Sequence, residues 1–235
     1  MKRSKRYKSN AALIDPQATY GLDEAVGKLK AGATAGFDET AEVTLNLGIK
    51  SSQVAVRGTC NLPHGTGKTV RILAFAKGEA VGEAQDAGAD HVGGEDLAKQ
   101  IQDGWFDFDK VVATPDMMPV VGKLGKVLGP RGLMPSPKTG TVTKDIGAVI
   151  SELKRGMVEF RADRFGVIHT VFGKGSFEPD ALKENLTAVI RSVAERRPEE
   201  GVKGRFIRKV SIASTMGPGI SLDMGEVTAI AESAD

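Results

Sequence analysis

Val70-Arg71-Ile72-Leu73-Ala74-Phe75-Ala76 is a continuous apolar run broken only by Arg71. Such a run predicts a strand buried on both faces, a property of parallel sheets covered by helices on each side. The segments that follow agree. Residues 79–87 read as a small-residue helix, and His91 and Val92 as a short strand. Leu97, Ala98 and Ile101 mark a second helix, residues 110–113 a third strand, and Val120, Val121, Leu124 and Leu128 one more helix. Strands alternating with helices point to an α/β sheet.

Outward from this core the texture changes on both sides. Upstream, Leu22, Ala25, Val26 and Leu29 share a helix face, with Asp23 and Glu24 in the first turn, and Gly32 and Gly36 end the pattern. Val43, Leu45 and Leu47 then alternate with Thr44 and Asn46, the mark of a half-buried strand, and Val54 and Val56 suggest another. Downstream of Gly156, Val158 and Phe160 fall on one face, and residues 167–172 read as their partner strand across a turn near 163–166. Pro179 opens a helix with Leu182, Leu186, Val189, Ile190 and Val193 on one stripe, and residues 206–213 form a last strand. One sheet would have to change character twice to hold all this. The expectation is therefore two domains: a split α+β domain with antiparallel strands, built from residues 1–66 and 159–235, and an inserted, three-layer-like α/β domain with a mostly parallel sheet, residues 67–158. The crossings near 64–69 and 154–159 are candidate hinge strands.

Composition narrows the function classes. The 235 residues hold 32 Lys+Arg against 30 Asp+Glu, a net charge of +2, and 40 % hydrophobic residues, an ordinary globular balance. No apolar run approaches the roughly 18 residues needed to span a bilayer, so no membrane partner is expected. The basic start, with Lys2, Arg3, Lys5, Arg6 and Lys8, has no apolar stretch behind it and does not read as an export signal. It reads either as a solvated terminus or as an electrostatic arm for phosphates. Cys60 is the sole cysteine, which excludes an intrachain disulfide and a thiolate zinc site and makes a cytoplasmic location the default. Charge is uneven inside the middle segment: residues 67–115 hold 5 basic and 9 acidic side chains, residues 116–158 hold 7 and 3.

Motifs for catalysis are missing or broken. His64-Gly65-Thr66-Gly67-Lys68-Thr69 imitates a phosphate loop, but Leu62 stands where its first glycine belongs, Pro63 removes an N–H, and a strand follows instead of a helix. A turn is the better reading. No G-x-G-x-x-G and no G-x-S-x-G occurs; Gly122, Gly125, Gly129 and Gly132 lie at helical spacing. His64, His91 and His169 have no near partner for a metal. No cofactor, metal or catalytic residue is expected. A nucleotide-binding enzyme using the middle α/β domain is the rival reading. The segment from Thr114 to Gly140 is the most unusual: five prolines and several glycines, with Lys123, Lys126, Arg131 and Lys138 against the single acid Asp116. A rigid basic loop of this kind suits phosphate contact without sequence readout; a proline-rich connector with solvated lysines is the plainer alternative.

This segment, from Thr114-Pro115-Asp116-Met117-Met118-Pro119 through Leu128-Gly129-Pro130-Arg131-Gly132-Leu133-Met134-Pro135-Ser136-Pro137-Lys138-Thr139-Gly140, closely resembles the signature of the ribosomal large-subunit protein L-one family, the universal stalk proteins. The resemblance extends to Phe37-Asp38-Glu39-Thr40-Ala41-Glu42-Val43, Val56-Arg57-Gly58-Thr59, Leu62-Pro63-His64-Gly65, Gly88-Ala89-Asp90, Val92-Gly93-Gly94 and Ser214-Thr215-Met216-Gly217-Pro218. It implies a split domain with an inserted α/β domain and a non-enzymatic protein, monomeric within the ribosome. The partners it implies are large-subunit (23S) rRNA in the mobile stalk, exit-site tRNA whose deacylated form it helps release, and the protein's own operon mRNA, whose translation it represses. Carried over to matching positions, the RNA contacts are Phe37, Thr40, Glu42, His169, Thr215, Met216 and Gly217. The chemistry suits them: hydroxyls and a carboxylate bond ribose 2′-OH groups, and Phe37 and Met216 supply apolar contact. Gly217 reads as a place where the backbone approaches RNA. Gly36 departs from a lysine found in other members, which removes one phosphate contact.

Overall fold

The computed structural model describes residues 4–49 and 56–233. From the amino end the elements are α1 (Lys5–Ala11), α2 (Leu22–Gly32), β1 (Thr40–Ile49), β2 (Arg57–Asn61), β3 (Ile72–Phe75) and α3 (Glu79–Asp86). Then come β4 (His91–Gly93), α4 (Glu95–Gln102), β5 (Lys110–Ala113), α5 (Met118–Lys123), α6 (Gly125–Leu128) and α7 (Ile146–Arg155). The chain ends with β6 (Met157–Arg161), β7 (Val167–Lys174), α8 (Pro179–Ala194), β8 (Val202–Ser214), β9 (Ile220–Ser221) and α9 (Met224–Glu232). Two compact units result, Met1–Gly67 with Gly156–Asp235, and Lys68–Arg155. No helix among the described residues is long and apolar enough to cross a membrane.

The split unit is α+β with antiparallel strands. Its sheet has the order β7-β1-β8-β9, and β2 pairs with β6 in a separate two-stranded ladder. In β1 the alternation runs from Thr40 to Leu47: Ala41, Val43, Leu45 and Leu47 are buried, and Glu42 and Asn46 are exposed. The buried side meets α2 and α8, whose apolar stripes the helical period predicted. Leu182, Leu186, Val189, Ile190 and Val193 of α8 are all 0 % exposed, and each such burial stabilises by about 1.5–3 kcal/mol relative to exposure. Asn185, on the same face and also fully buried, is satisfied on three sides. Its Nδ2 donates to the carbonyls of Phe172 (2.9 Å) and Gly65 (3.0 Å), and its Oδ1 accepts from the His64 N–H at 3.0 Å. The backbone groups at His64 and Gly65 are thus turned inward onto α8, which supports a structural turn over a phosphate loop. At the other crossing Gly156 has φ +113°, and a Cβ there would lie 2.3 Å from the Gly65 Cα. Only glycine permits that approach.

The inserted unit is α/β, with a parallel sheet of order β4-β3-β5. Alternation explains the apolar run. Leu73 and Phe75 join α4, α5 and α6 in one cluster with Ile101, Val121, Leu124 and Leu128. Ile72 and Ala74 are equally buried but point to the opposite face, where α3 packs on α7 and α7 meets β5.

Several expectations need correction. β6 and β7 do not form a hairpin ladder: β6 pairs with β2 and β7 pairs with β1, and they meet at the bridge between Ala162 and Ile168 and the Asp163 N–H on the Val167 carbonyl (2.9 Å). The predicted helix through Val120–Leu128 is two short helices, because glycines at 122 and 125 weaken helix continuity. Helix α7 was not anticipated, although Ile146, Ile150 and Leu153 are buried at helical spacing. Neither were β9 and α9, the latter capped by Asp223 Oδ2, which accepts from the N–H groups of Gly225 and Glu226. Of the basic start, Lys5, Arg6 and Lys8 lie in α1, whose buried Asn10 donates Nδ2 to the Gly32 carbonyl at 2.6 Å. Lys2, Arg3 and Val54 lie outside the described residues.

Candidate nucleic-acid interface

β1 occupies the middle of its sheet, so whatever stands at its amino end is flanked on both sides. Register places Thr40 opposite Lys174 of β7, and Ala41 opposite Ser214 of β8. The loop before β1 and the corner after β8 are thereby brought together across 175 residues of sequence. The Thr215 hydroxyl accepts from the Thr40 N–H at 2.9 Å and is 3.3 Å from the Thr40 carbonyl, while the Thr215 N–H donates to that same carbonyl at 3.0 Å. The Thr40 hydroxyl accepts from Lys174 Nζ at 2.8 Å. Asp38 anchors the third segment, accepting from the Ser176 N–H (3.0 Å) and hydroxyl (2.9 Å).

Glu39 is the hub beneath this surface. It is 2 % exposed. Its Oε1 accepts from the Ala35 N–H at 2.9 Å, and its Oε2 from the Ser214 hydroxyl (2.8 Å) and the Met216 N–H (2.9 Å). Burial alone would raise this carboxyl; the Met216 N–H, the Ser214 hydroxyl and the Ala35 N–H together hold it below the ordinary carboxylate value. Glu39 stands within the Phe37–Val43 segment, and the resemblance implies no role for it. The signal was available: continuing the β1 alternation one step back from Ala41 puts Glu39 on the core side, and a carboxylate facing a core must find donors. Lys174, Ser176 and Ser214 were also missed, because their parts depend on strand pairing.

The expected residues take up the following places. Phe37 and Met216 are exposed at 55 % and 47 %, so neither belongs to the core. Glu42 lies on the open face, in register with Val171 and Ala213. His169, one step along, is exposed with Nδ1 3.2 Å from the Thr44 hydroxyl. Thr40, Glu42, His169, Thr215, Met216 and Gly217 therefore share one end and one face of a single sheet, with Phe37 on the loop leading into it. Gly217 has a local reason to be glycine, since a Cβ would stand 2.5 Å from the Ser214 Oγ that serves Glu39. The end of the sheet is hydroxyl-rich and bordered by two exposed apolar groups, Phe37 and Met216.

Lys123, Lys126, Arg131 and Lys138 belong to the other unit. All four are exposed, and the Arg131 guanidinium lies 3.5 Å over the Phe106 ring. The loop carrying Lys138 is pinned by the Thr141 hydroxyl, which accepts from the Ser136 N–H at 2.8 Å. Among the described residues no cluster of three or more His, Cys, Asp or Glu side chains offers a metal site.

Residues 29–218 match the Ribosomal protein L1p/L10e family. The chain is 57 % identical over 226 residues to the large ribosomal subunit protein uL1 of Fervidobacterium nodosum, covering 95 % of this chain and 96 % of that one. It is 52 % identical over 225 residues to uL1 of Thermus thermophilus, covering 94 % and 98 %. With uL1 of Cutibacterium acnes it shares 50 % identity over 225 residues, covering 95 % and 97 %.

Proposed function

The chain belongs to the ribosomal protein L1p/L10e family, and on that premise we propose that it is a structural, non-catalytic protein of the large ribosomal subunit that binds 23S rRNA. The interface is the end of the split unit built on Phe37, Thr40, Glu42, Thr215, Met216 and Gly217, with His169 at its edge. The observation that carries this reading is the Glu39 hub. It binds the Phe37 loop and the Met216 corner from beneath with three hydrogen bonds, leaving both apolar side chains exposed. A surface so pre-organised loses little entropy on binding, and its hydroxyls and the Glu42 carboxylate can bond 2′-OH groups that DNA lacks. From the same reading follow a place in the mobile stalk, help in releasing deacylated exit-site tRNA, and repression of the protein's own mRNA through the rRNA interface. The exposed cations of the inserted unit are assigned to phosphate contact. The crossings at 64–69 and 154–159 are assigned to a hinge.

Footprinting of the purified chain on a 23S transcript tests partner and surface together. Protection confined to one helical region, and lost in Met216→Asp, is the expected result. Binding of equal strength to a DNA of the same sequence would remove the 2′-OH argument.

A further inference from the structure

Phe165 is 69 % exposed, more than any other large hydrophobic side chain among the described residues. It stands at the tip of the turn between β6 and β7, at the end of β7 remote from Lys174. Burial cannot account for a phenylalanine there, and a loose loop does not carry it. The turn is closed by the Gly166 N–H on the Asp163 carbonyl (3.1 Å). Asp163 Oδ1 accepts from the N–H groups of Phe165 and Val167, both at 2.8 Å, so the one carboxylate of the turn is turned onto backbone. Gly166, at φ +76°, fastens the turn to the sheet through its carbonyl, which accepts from the Leu47 N–H at 2.8 Å. The Arg164 guanidinium lies 4.8 Å over the Phe165 ring.

We infer that this turn is a second RNA contact, in which the Phe165 ring stacks on an unpaired base and Arg164 meets the neighbouring phosphate. The inference rests on the RNA-binding reading of the sheet's other end and extends it. Continuity argues for the same RNA molecule as occupant. The open face runs from Thr40 to Asn46, six residue steps or about 20 Å of strand, and Val167, the first residue of β7, pairs with Asn46. Between the two ends lie His169 and, opposite Asn46 in register, the exposed Lys209. Charge argues likewise, because Arg164 and Lys209 favour a polyanion. A rigid ring under a guanidinium matches the stacking platforms of single-stranded nucleic-acid sites, which accept any base.

The test uses the full chain and a transcript of the stalk region of 23S rRNA, with filter binding and base-protection footprints. Phe165→Ala should raise the Kd about 5- to 150-fold, the range expected for one lost base stack, without changing the melting temperature. Phe165→Trp should bind like the parent chain. The footprint of Phe165→Ala should lose protection at nucleotides distinct from those lost in Met216→Asp. Unchanged affinity in Phe165→Ala, with affinity lost in Met216→Asp, overturns the second contact and leaves the first reading standing; this is also the outcome if Phe165 docks on a protein. Unchanged affinity in both variants, or no binding by the parent chain, overturns both.

Discussion

Glu39→Gln is the most informative single change, because it keeps the shape of the hub and alters only its proton and charge. Three donors converge on the carboxylate: the N–H groups of Ala35 and Met216 and the Ser214 hydroxyl. An amide has one acceptor oxygen. Whichever way the introduced amide turns, its NH2 must face either the Ala35 N–H or the Met216 N–H, and one buried donor is left unpaired. That costs about 1–3 kcal/mol, and the surviving bonds lose their charge assistance, so a total near 2–4 kcal/mol is expected. For a chain of this size that lowers the melting temperature of the split unit by roughly 4–16 °C. The pH dependence gives an independent check. The folded carboxyl titrates below its ordinary value of 4.5. Its stabilisation is therefore complete above that value and is lost as the pH falls through the lower, folded pKa. The gap between parent and Glu39→Gln should be widest at pH 6–8 and close on acidification. Affinity for the rRNA fragment should fall about tenfold or more, although Phe37 and Met216 are untouched. Calorimetric melts from pH 7 down to 3, beside filter binding at pH 7, read all three effects. A variant that melts like the parent at pH 7, or a gap that stays constant to pH 3, would refute the hub.

Thr215→Val removes a hydroxyl that already accepts from the Thr40 N–H, so it should lower stability by about 1–2 kcal/mol as well as weaken binding; urea melts showing no loss would place that hydroxyl outside the sheet. Met216→Asp sets a carboxylate on an exposed position and should reduce RNA affinity at least tenfold with an unchanged melt; equal affinity in a folded variant removes Met216 from the interface. Asp109 is held at about 2, well below its ordinary 3.8, chiefly by Lys68 Nζ at 2.7 Å. Asp109→Asn should therefore destabilise the inserted unit by about 1–2 kcal/mol at pH 7, allowing for solvent screening of the pair, and the difference should vanish as the pH falls from 4 to 2; urea titrations that show no such narrowing contradict the pairing. A chain joining Met1–Gly67 to Gly156–Asp235 keeps every residue of the split unit's core and should bind the rRNA fragment within about tenfold of the whole, or ~1.4 kcal/mol; a hundredfold loss in a folded product would move the site to the inserted unit.

Periodicity is local, and what is local could be read directly. The alternation in Val43, Leu45 and Leu47, the stripe of α8, and the unbroken run at Ile72–Phe75 each follow from side chains a few residues apart. They were enough to separate an antiparallel texture from a parallel one. The exposed or half-buried state of Glu42, Thr44 and Asn46 was legible for the same reason. Pairing is not local. Nothing in residues 157–174 says that β6 will leave the turn for β2 while β7 turns to β1, since each strand satisfies its backbone equally well with either partner until the whole core is assembled. The candidate site shows the same division. Its exposed residues were named from short segments, but the hub that positions them was not, because Glu39 finds Ser214 and Met216 at separations of 175 and 177 residues. Composition could place a carboxylate before a strand. Only the closing of β8 against β1 supplied the donors that make it stable there.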